Sequence, residues 1–338
     1  MELRFPAGWL RDNCPCPACR DPHSGQKLHT VGELAGDLTV TGVSENAETV
    51  EIRYSDGHRS AFDPAWLARH ETADRIGDGR TETGKDLWDQ IEPPEADWAR
   101  YRADPVPILR SVWRTGFALL RGTPVAPGTV LQIARSFGYV RTTNYGDLFD
   151  VRTEERAVNL AFTARAIAPH TDNPYRDPVP TVQLLHCLRD AADGGESGLV
   201  DGFRAAALLR EREPGHFATL AGTPATFAWG RLRAHRPMIG VDELGRIREI
   251  RYNNRSLQAP AGPAERLAAF YAAYRAFDAV LNRPGAMVTF KLAPGDCVIF
   301  DNTRVLHART AFSDSAAAGD RHLQGCYADL DAVQWVAH

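Results

Sequence analysis

A histidine and an aspartate two residues apart, His170 and Asp172 in the segment APHTDNPY, are residues whose types and spacing suggest metal chemistry. In an extended segment, side chains two positions apart point to the same face, so the imidazole and the carboxylate would lie side by side. Such a pair supplies two thirds of the facial triad of non-haem Fe(II) oxygenases, which leaves positions open for a cosubstrate and dioxygen. Taken alone, the pair is more typical of a structural hydrogen bond, so its interpretation depends on further residues.

Those further residues are His307 and Arg321. His307 follows the predicted strand VIFDN in the segment VIFDNTRVLHARTAF, and Arg321 begins the next predicted strand, RHLQGCYADL. Alone, Arg321 would be read as a surface salt-bridge partner. On the strand after His307, however, the Arg321 side chain can point into the same site as the histidine. A planar guanidinium there suits the far carboxylate of 2-oxoglutarate. The four positions therefore predict one site.

A second group with metal-ligand chemistry is the cysteine cluster Cys14, Cys16 and Cys19 in WLRDNCPCPACR. An odd number of thiols cannot close as disulfides, and three thiolates leave a tetrahedral site one ligand short. The candidates for the fourth ligand are three histidines: His23, His29 and His58. The other cysteines stand singly in apolar contexts and are interpreted as core thiols, as is the neighbouring His186 in LLHCL: Cys187, Cys297 and Cys326.

The elements that must position these residues divide the chain in two. Alternating residues from about 33 to 61 predict a small antiparallel meander, and PAWLARHE predicts a short helix that closes it. Residues 72–98 have the composition of a linker, which places a boundary near residues 80–95.

After the boundary, DWARYRADPVPILRSVWRTG and GTVLQIARSFG are helical in period, with the strand FALLRG between them. From about residue 155 strands dominate, interrupted by two helical inserts near residues 205–221 and 262–282. Many short strands at near-regular spacing favour a sandwich or jelly roll over a doubly wound parallel sheet. The predicted strands are RAVNLAF, TVQLLHCL, GLVDG, ATFAW, REIRYNN, MVTFKL, CVIFDN and LQGCYADL.

Composition narrows the classes of function. The 338 residues are 43% hydrophobic and 24% charged, which is ordinary for a globular enzyme or binding protein. No run of 18 apolar residues predicts a membrane span, and no secretory signal stands at the amino terminus, so we expect a cytoplasmic protein. The net charge of −4 argues against nucleic acid as the main partner.

Long motifs resemble a known family: HTDNPYRDP, VQLLHC, GGESGLVDGF, PGDCVIFDNTRVLHAR and RHLQGCYADLD. They resemble the clavaminate synthase and taurine dioxygenase superfamily, and most closely its gamma-butyrobetaine hydroxylase branch. The resemblance implies an Fe(II) ion on His170, Asp172 and His307, with Arg321 and the Ser197 hydroxyl holding 2-oxoglutarate. It also implies an α+β chain whose catalytic domain, residues 86–338, is a double-stranded β-helix or jelly roll.

The amino-terminal cysteines belong to the same branch. The resemblance implies a small zinc-binding β domain over residues 1–85, with His58 as the fourth ligand beside Cys14, Cys16 and Cys19. Such a closed Cys3His site has no position for a substrate and is structural. Relatives carry a further strand before WLRDN and a further helix after YADLD, and we expect neither here.

The family also implies an aromatic cage for a trimethylammonium group, which binds to aromatic faces. Its positions fall on four aromatic residues here: Tyr145, Phe149, Phe162 and Tyr327. The family more often has tryptophan at Phe149 and tyrosine at Phe162, and Phe162 also fits a core role. Asn159 and Asn253 match positions that line the pocket and suit the substrate's anionic end or the cosubstrate.

The predicted function is hydroxylation of an unactivated C–H bond of a small trimethylammonium acid such as gamma-butyrobetaine, with O2 consumed and ascorbate supporting activity. Trimethylaminoethylphosphonate, trimethyllysine or an unmethylated analogue are alternative substrates. We expect a homodimer that acts on a small molecule, without a nucleic-acid or membrane partner. Two other classes stay open: a non-oxygenase binding protein or isomerase on the same fold, and an interaction module in the cysteine-rich segment.

Overall fold

Residues 1–83 and 84–338 form two units in the computed structural model. The structure describes residues 5–71, 85–152, 164–190, 193–312 and 321–337. The predicted strand RAVNLAF and residues 72–84 of the predicted linker lie outside these ranges.

The first unit is built on a three-stranded antiparallel sheet in the order β1-β2-β3. The strands are β1 (Val40–Glu45), β2 (Val50–Tyr54) and β3 (Arg59–Phe62), and the sheet lies between α1 (Ala7–Asp12) and α2 (Pro64–Glu71) in the sequence. Alternate residues of β2 are buried, as the period of two predicts. They pack with Leu10 of α1 and Leu67 of α2 in one small core.

The second unit contains two larger sheets. The six-stranded sheet has the order β4-β5-β15-β8-β17-β6, and the four-stranded sheet has the order β14-β9-β16-β7. All pairs are antiparallel except β4 with β5. The strands of the six-stranded sheet are β4 (Glu95–Asp97), β5 (Phe117–Arg121), β6 (Phe149–Val151), β8 (Val182–Arg189), β15 (Cys297–Asp301) and β17 (His322–Ala328). Those of the four-stranded sheet are β7 (Ile167–His170), β9 (Ser197–Asp201), β14 (Met287–Phe290) and β16 (Val305–Arg309).

Two hairpins and several helices complete the described part of this unit. The hairpins pair β10 (Ala225–Trp229) with β11 (Leu232–Arg236) and β12 (Ile239–Val241) with β13 (Ile247–Ile250). The helices are α3 (Trp98–Ala103), α4 (Val106–Thr115), α5 (Thr129–Arg135), α6 (Gly202–Arg212), α7 (Pro214–Gly222), α8 (Ala264–Leu281) and α9 (Leu330–Ala337). Apolar side chains of α4, α5 and α9 cover the six-stranded sheet, and those of α6, α7 and α8 pack on the four-stranded sheet and the hairpins.

The expectation that no helix follows YADLD is wrong, because α9 occupies that position. Its residues Val333 and Ala337 are four positions apart, lie on one face and are buried. The Arg110 side chain on α4 donates a hydrogen bond to the Ala337 carbonyl. Among the described residues, none of the helices has the length and apolarity needed to cross a membrane.

Candidate active site

Neighbouring strands of the four-stranded sheet bring two histidines together. β7 ends at His170, β16 carries His307, and the two residues are directly opposite each other in the antiparallel register. Their ring centroids are 4.1 Å apart. Asp172 lies two residues beyond the end of β7, and the chain turns immediately after it at Asn173, whose φ is +54°. Asparagine tolerates this left-handed conformation better than most residues do.

The Asp172 carboxylate has two oxygens with different surroundings. Oδ2 accepts hydrogen bonds from the Tyr327 hydroxyl at 2.9 Å and from Gln183 Nε2 at 3.0 Å. Gln183 and Tyr327 are paired across β8 and β17, so the six-stranded sheet meets the four-stranded sheet at this carboxylate. Oδ1 instead lies 3.4 Å from His170 Nε2. Burial favours a higher pKa for Asp172, but the polar surroundings that His170, His307 and the Tyr327 hydroxyl provide outweigh it and hold the pKa below its usual range.

The imidazole rings present nitrogens suited to a metal. His170 Nδ1 lies 2.9 Å from the Ala168 carbonyl, which only accepts, so Nδ1 carries the proton and the neutral ring has its lone pair at Nε2. Burial, reinforced by His170, lowers the pKa of His307 to about 3, which makes its ring neutral. The His307 Nε2 atom lies 4.0 Å from the Asp172 carboxylate. The three side chains thus place their ligand atoms within 4.8 Å of one another, as one ion requires.

Asn302, whose role was not predicted from the sequence, holds the backbone of Asp172. Its Oδ1 accepts from the Asp172 amide at 2.8 Å, and its Nδ2 donates to the carbonyls of Asp172 and Pro180, both at 2.9 Å. These three hydrogen bonds of the side-chain amide therefore fix the loop that carries the carboxylate. The position of Asn302 at the end of the predicted strand VIFDN, in the motif that carries His307, is the feature of the sequence that could have indicated a role at the site.

Arg321 lies beside the triad in the same cavity and is 5% exposed. Burial lowers the pKa of its guanidinium. Its Nη2 reaches the Gly195 carbonyl at 3.4 Å, and its buried Nε has no hydrogen-bond partner. Gly195 has φ +73°, and a Cβ there would lie 3.1 Å from Arg321 Nε, so the glycine leaves room for the guanidinium. Ser197 lines the same cavity.

The cavity has a volume of about 290 Å³ and an aromatic wall, dimensions that suit small molecules. Of the predicted cage residues, Tyr145, Phe149 and Tyr327 line it. The rings of Phe149 and Tyr327 stack with centroids 5.1 Å apart, and those of Tyr145 and Phe149 lie 6.2 Å apart. Phe149 is directly opposite Gly325, where a Cβ would lie 2.3 Å from its ring, so only glycine permits this approach.

Two further aromatic side chains, Tyr175 and Trp229, line the cavity without having been predicted. The Tyr175 hydroxyl donates to Asn173 Oδ1 at 2.8 Å and lies 3.4 Å from the Tyr145 hydroxyl. The place of Tyr175 in the cavity could have been predicted, because Tyr175 belongs to the motif HTDNPY with two metal ligands. Trp229 comes from the β10 hairpin, and no sequence motif indicates its place in the cavity.

The predicted pocket asparagines and Phe162 have different outcomes. Phe162 and Asn159 lie outside the described residues, so their roles stay predictions. Asn253 lines the cavity, but its Nδ2 donates to the Thr171 carbonyl and its Oδ1 accepts from the Arg255 amide, both at 3.1 Å. Both polar atoms of Asn253 thus already have backbone partners.

His186 and Cys187 are core residues, as predicted. Both are fully buried, and neither belongs to the lining of the cavity. His186 Nε2 lies 2.9 Å from the Thr123 hydroxyl, and burial lowers its pKa to about 4. The ring is therefore a neutral, hydrogen-bonded core histidine.

A second cluster lies in the first unit, where Cys14, Cys16, Cys19 and His58 come together. His58 Nε2 lies 3.2, 3.7 and 3.6 Å from the three Sγ atoms, in that order. Ligand atoms at about 2.3 Å (sulfur) and about 2.0 Å (nitrogen) from a tetrahedral zinc ion are separated by similar distances. Of the competing histidines, His29 instead lies 3.4 Å from Asp12, and His23 is exposed.

Comparison with known proteins agrees with this geometry. Residues 83–327 match the family described as Taurine catabolism dioxygenase TauD, TfdA family. Residues 1–68 match the family Gamma-butyrobetaine hydroxylase-like, N-terminal. A solved structure of asparagine oxygenase in complex with Fe(II), 2S,3S-3-hydroxyasparagine and succinate shares the fold, with a TM-score of 0.51 and 20% identity over 69% of this chain and 77% of that one.

Two curated relatives match nearly the whole chain. The gamma-butyrobetaine dioxygenase of Pseudomonas sp. (strain AK-1) is 37% identical over 96% of this chain and 87% of its own length. The gamma-butyrobetaine dioxygenase of Homo sapiens is 31% identical over 98% of this chain and 90% of its own length. The resemblance found in the sequence is therefore confirmed, and the chain belongs to the TauD, TfdA family of dioxygenases and to its gamma-butyrobetaine hydroxylase-like branch.

Proposed function

We propose that this protein is an Fe(II)- and 2-oxoglutarate-dependent dioxygenase that hydroxylates an unactivated C–H bond of a small trimethylammonium acid such as gamma-butyrobetaine. The observation that carries the proposal is the presence of His170, Asp172, His307 and Arg321 in one aromatic-walled cavity. A binding protein or isomerase on this fold would need the triad but has no use for a buried guanidinium beside it.

The residues present fit an iron ion. Two neutral imidazoles and one carboxylate form the facial set that this metal uses in oxygenases. His170 is oriented by the Ala168 carbonyl, and Asp172 is oriented by Tyr327 and Gln183. When bound, the iron would supply the oxygen chemistry, which converts 2-oxoglutarate and O2 to succinate and carbon dioxide while the substrate is hydroxylated.

The orphaned Nε of Arg321 supports a cosubstrate site. A buried donor without a partner is costly unless a ligand satisfies it, and a carboxylate accepts two parallel hydrogen bonds from a guanidinium. In this proposal Arg321 and the Ser197 hydroxyl hold the far carboxylate of 2-oxoglutarate. Ascorbate supports activity by keeping the metal reduced.

The aromatic wall supports a quaternary ammonium substrate. Tyr145, Phe149 and Trp229 line the cavity, and aromatic faces attract a trimethylammonium group. In this proposal the cage is formed by Tyr145, Phe149, Phe162 and Tyr327. The anionic end of the substrate, or the cosubstrate, is bound by Asn159 and Asn253. The alternative substrates are trimethylaminoethylphosphonate, trimethyllysine or an unmethylated analogue.

The proposal extends to the whole chain. Residues 86–338 form the catalytic domain, and we interpret its two facing sheets as a double-stranded β-helix, or jelly roll. Residues 1–85 form a zinc-binding β domain with Cys14, Cys16, Cys19 and His58 as ligands, an assignment supported by their mutual distances. The enzyme works as a cytoplasmic homodimer on a small molecule.

A succinate-release screen tests the function. The protein is supplied with Fe(II), 2-oxoglutarate, ascorbate and O2, and then with gamma-butyrobetaine, trimethyllysine, trimethylaminoethylphosphonate or their unmethylated analogues. We expect trimethylated acids to stimulate succinate formation and His170→Ala to abolish it. Full activity of His170→Ala would contradict the iron assignment, and equal stimulation by unmethylated analogues would contradict the cage.

A further inference from the structure

The lining of the cavity holds more positive charge than one cosubstrate needs. Among the residues that the structure describes, three arginines line it, Arg255, Arg309 and Arg321, against one carboxylate, Asp172. With a divalent metal on the triad, the local charge is about +4, and 2-oxoglutarate contributes −2. The excess positive charge favours an anionic group of a ligand beside these arginines, because unpaired charge that is partly removed from water is unfavourable.

Two of the three arginines have identifiable partners. Arg309 Nη2 donates to the Arg165 carbonyl at 2.8 Å, and its guanidinium lies 4.9 Å from the centre of the Phe312 ring. Arg321 is the proposed cosubstrate ligand. Arg255 differs from both, because its guanidinium forms no hydrogen bond or ion pair with any residue in the described ranges, although its backbone amide is bonded to Asn253.

The loop that carries Arg255 is fixed at the metal site. The Tyr252 amide donates to Thr171 Oγ1 at 3.0 Å, and Thr171 lies between His170 and Asp172. The Ser256 carbonyl accepts from the Ala228 amide at 2.8 Å, which joins the loop to the β10 hairpin. The backbone of such a tied loop is preorganised, so the loop itself loses little conformational entropy when Arg255 binds a ligand.

Electrostatic effects agree with a guanidinium that faces the reaction centre. Burial lowers the pKa of Arg255, while the charge of Asp172 opposes that shift. Arg255 in turn contributes to the lowered pKa values of His307 and Arg309. The guanidinium thus interacts electrostatically with Asp172, His307 and Arg309, in the cavity that all four residues line.

We propose that Arg255 binds the oxyanion of the substrate, a carboxylate or phosphonate, at the end of the molecule opposite the trimethylammonium group. Asn253, the residue expected there from the sequence, already has backbone partners for both polar atoms. This inference rests on the proposed function for the identity of the substrate's cationic end. Arg255 is then a specificity determinant: the enzyme selects zwitterionic substrates over quaternary amines whose other end is uncharged.

Binding measured without oxygen tests the proposal independently of turnover. The protein is loaded anaerobically with Fe(II) and 2-oxoglutarate, and the Kd is measured for gamma-butyrobetaine, for its carboxamide and for trimethylaminoethylphosphonate. We expect wild type to bind the carboxylate or the phosphonate about 10- to 100-fold more tightly than the carboxamide, as a charged hydrogen bond implies. Arg255→Gln should remove that preference and leave carboxamide binding within about threefold, and Arg255→Lys should retain part of it.

The matched control is Arg275→Gln, which removes an exposed arginine of α8 outside the cavity and should change no Kd. Equal weakening of acid and carboxamide in Arg255→Gln would overturn the proposal, and so would a wild type indifferent to the substrate's charge. The wild-type comparison requires no variant to fold. Charge-selective, Arg255-dependent binding without succinate formation in air would support this inference while contradicting the hydroxylase function.

Discussion

At the scale of residues, the asymmetry of the Asp172 carboxylate governs the site. Oδ2 already accepts two hydrogen bonds, from Tyr327 and Gln183, whereas Oδ1 lies beside His170. A carboxylate held in this way offers Oδ1 to a metal and cannot rotate freely. Tyr327 therefore contributes more than an aromatic face: its hydroxyl is a positioning group for a metal ligand, and outer groups of this kind tune metal affinity.

Tyr327→Phe isolates that hydroxyl, because it keeps the ring that stacks on Phe149. We expect Fe(II) affinity to fall about 10-fold, as typical for loss of an outer hydrogen bond to a ligand. Anaerobic metal titration measures the effect. Tyr145→Phe is the matched control, since its hydroxyl lies near Tyr175 and does not contact Asp172. A similar loss in both variants, or in neither, would contradict the positioning role.

Arg321 carries the second prediction at this scale. Arg321→Gln should raise the Kd for 2-oxoglutarate about 100-fold, because a bidentate, charge-assisted contact is replaced by a neutral one. The Kd of Arg321→Lys for 2-oxoglutarate should lie between those of wild type and Arg321→Gln, since lysine keeps the charge and loses the planar fork. Fe(II) affinity without 2-oxoglutarate serves as the internal control and should stay near wild type. An unchanged Kd for 2-oxoglutarate would place the cosubstrate elsewhere.

At the scale of elements, the first unit is a small sheet closed around its cluster. Arg11 of α1 donates to Cys19 Sγ at 3.1 Å and to Asp56 at 3.0 Å, and Asp56 accepts from the His58 amide at 2.9 Å. These hydrogen bonds thus link two ligands of the cluster, Cys19 and His58, through the side chains of Arg11 and Asp56. Because the apolar core of this unit is small, a bound metal contributes a large share of its stability.

Removal of zinc should therefore unfold the three-stranded sheet. We expect a chelator to abolish hydrogen-exchange protection of the β2 amides, Val50–Tyr54, and added Zn²⁺ to restore it. Hydrogen exchange with mass spectrometry resolves these amides from those of β8, which provides the internal reference in the other unit. Cys14→Ser should lack protection with or without added zinc. Persistent protection of β2 in the chelated protein would mean that the metal is dispensable for this fold.

The elements also indicate how far sequence reasoning reaches. Apolar strands such as CVIFD and VQLLHCLR were predicted because both faces are buried and the pattern is continuous. β7 was not predicted because the segment IAPH is short and contains proline. β11 was not predicted because the segment LRAHR is mostly exposed and polar. The metal ligands were found because motifs carry them. Arg255 and Trp229 were not, since only the folded chain brings their loops to the cavity.

At the scale of the whole molecule, a buried ion pair links distant parts of the second unit. Arg304 and Asp201 are both fully buried, and their two contacts measure 3.0 and 2.7 Å. Arg304 also donates to the carbonyls of Arg114 and Asp86, and Asp201 accepts from the Trp88 amide. β9, β16, the end of α4 and the segment before β4 thus meet at one pair. No local pattern predicts this, because the partners are 103 residues apart.

Loss of this pair should be costly because it leaves a buried guanidinium uncompensated. Asp201→Asn is expected to lower the free energy of unfolding by about 3–5 kcal/mol. The control is Asp86→Asn, which breaks the half-exposed pair of Asp86 with Arg114, 2.9 Å apart, and should cost less than about 1 kcal/mol. Urea unfolding, followed through the buried Trp88, measures both. Because the Asp201 carboxylate also accepts a hydrogen bond from the Phe203 amide at the start of α6, its loss removes a helix cap as well as the ion pair. Equal losses in the two variants would show that the buried pair contributes no more than an exposed one, and that backbone pairing and apolar packing hold β9 and β16 beside each other without it.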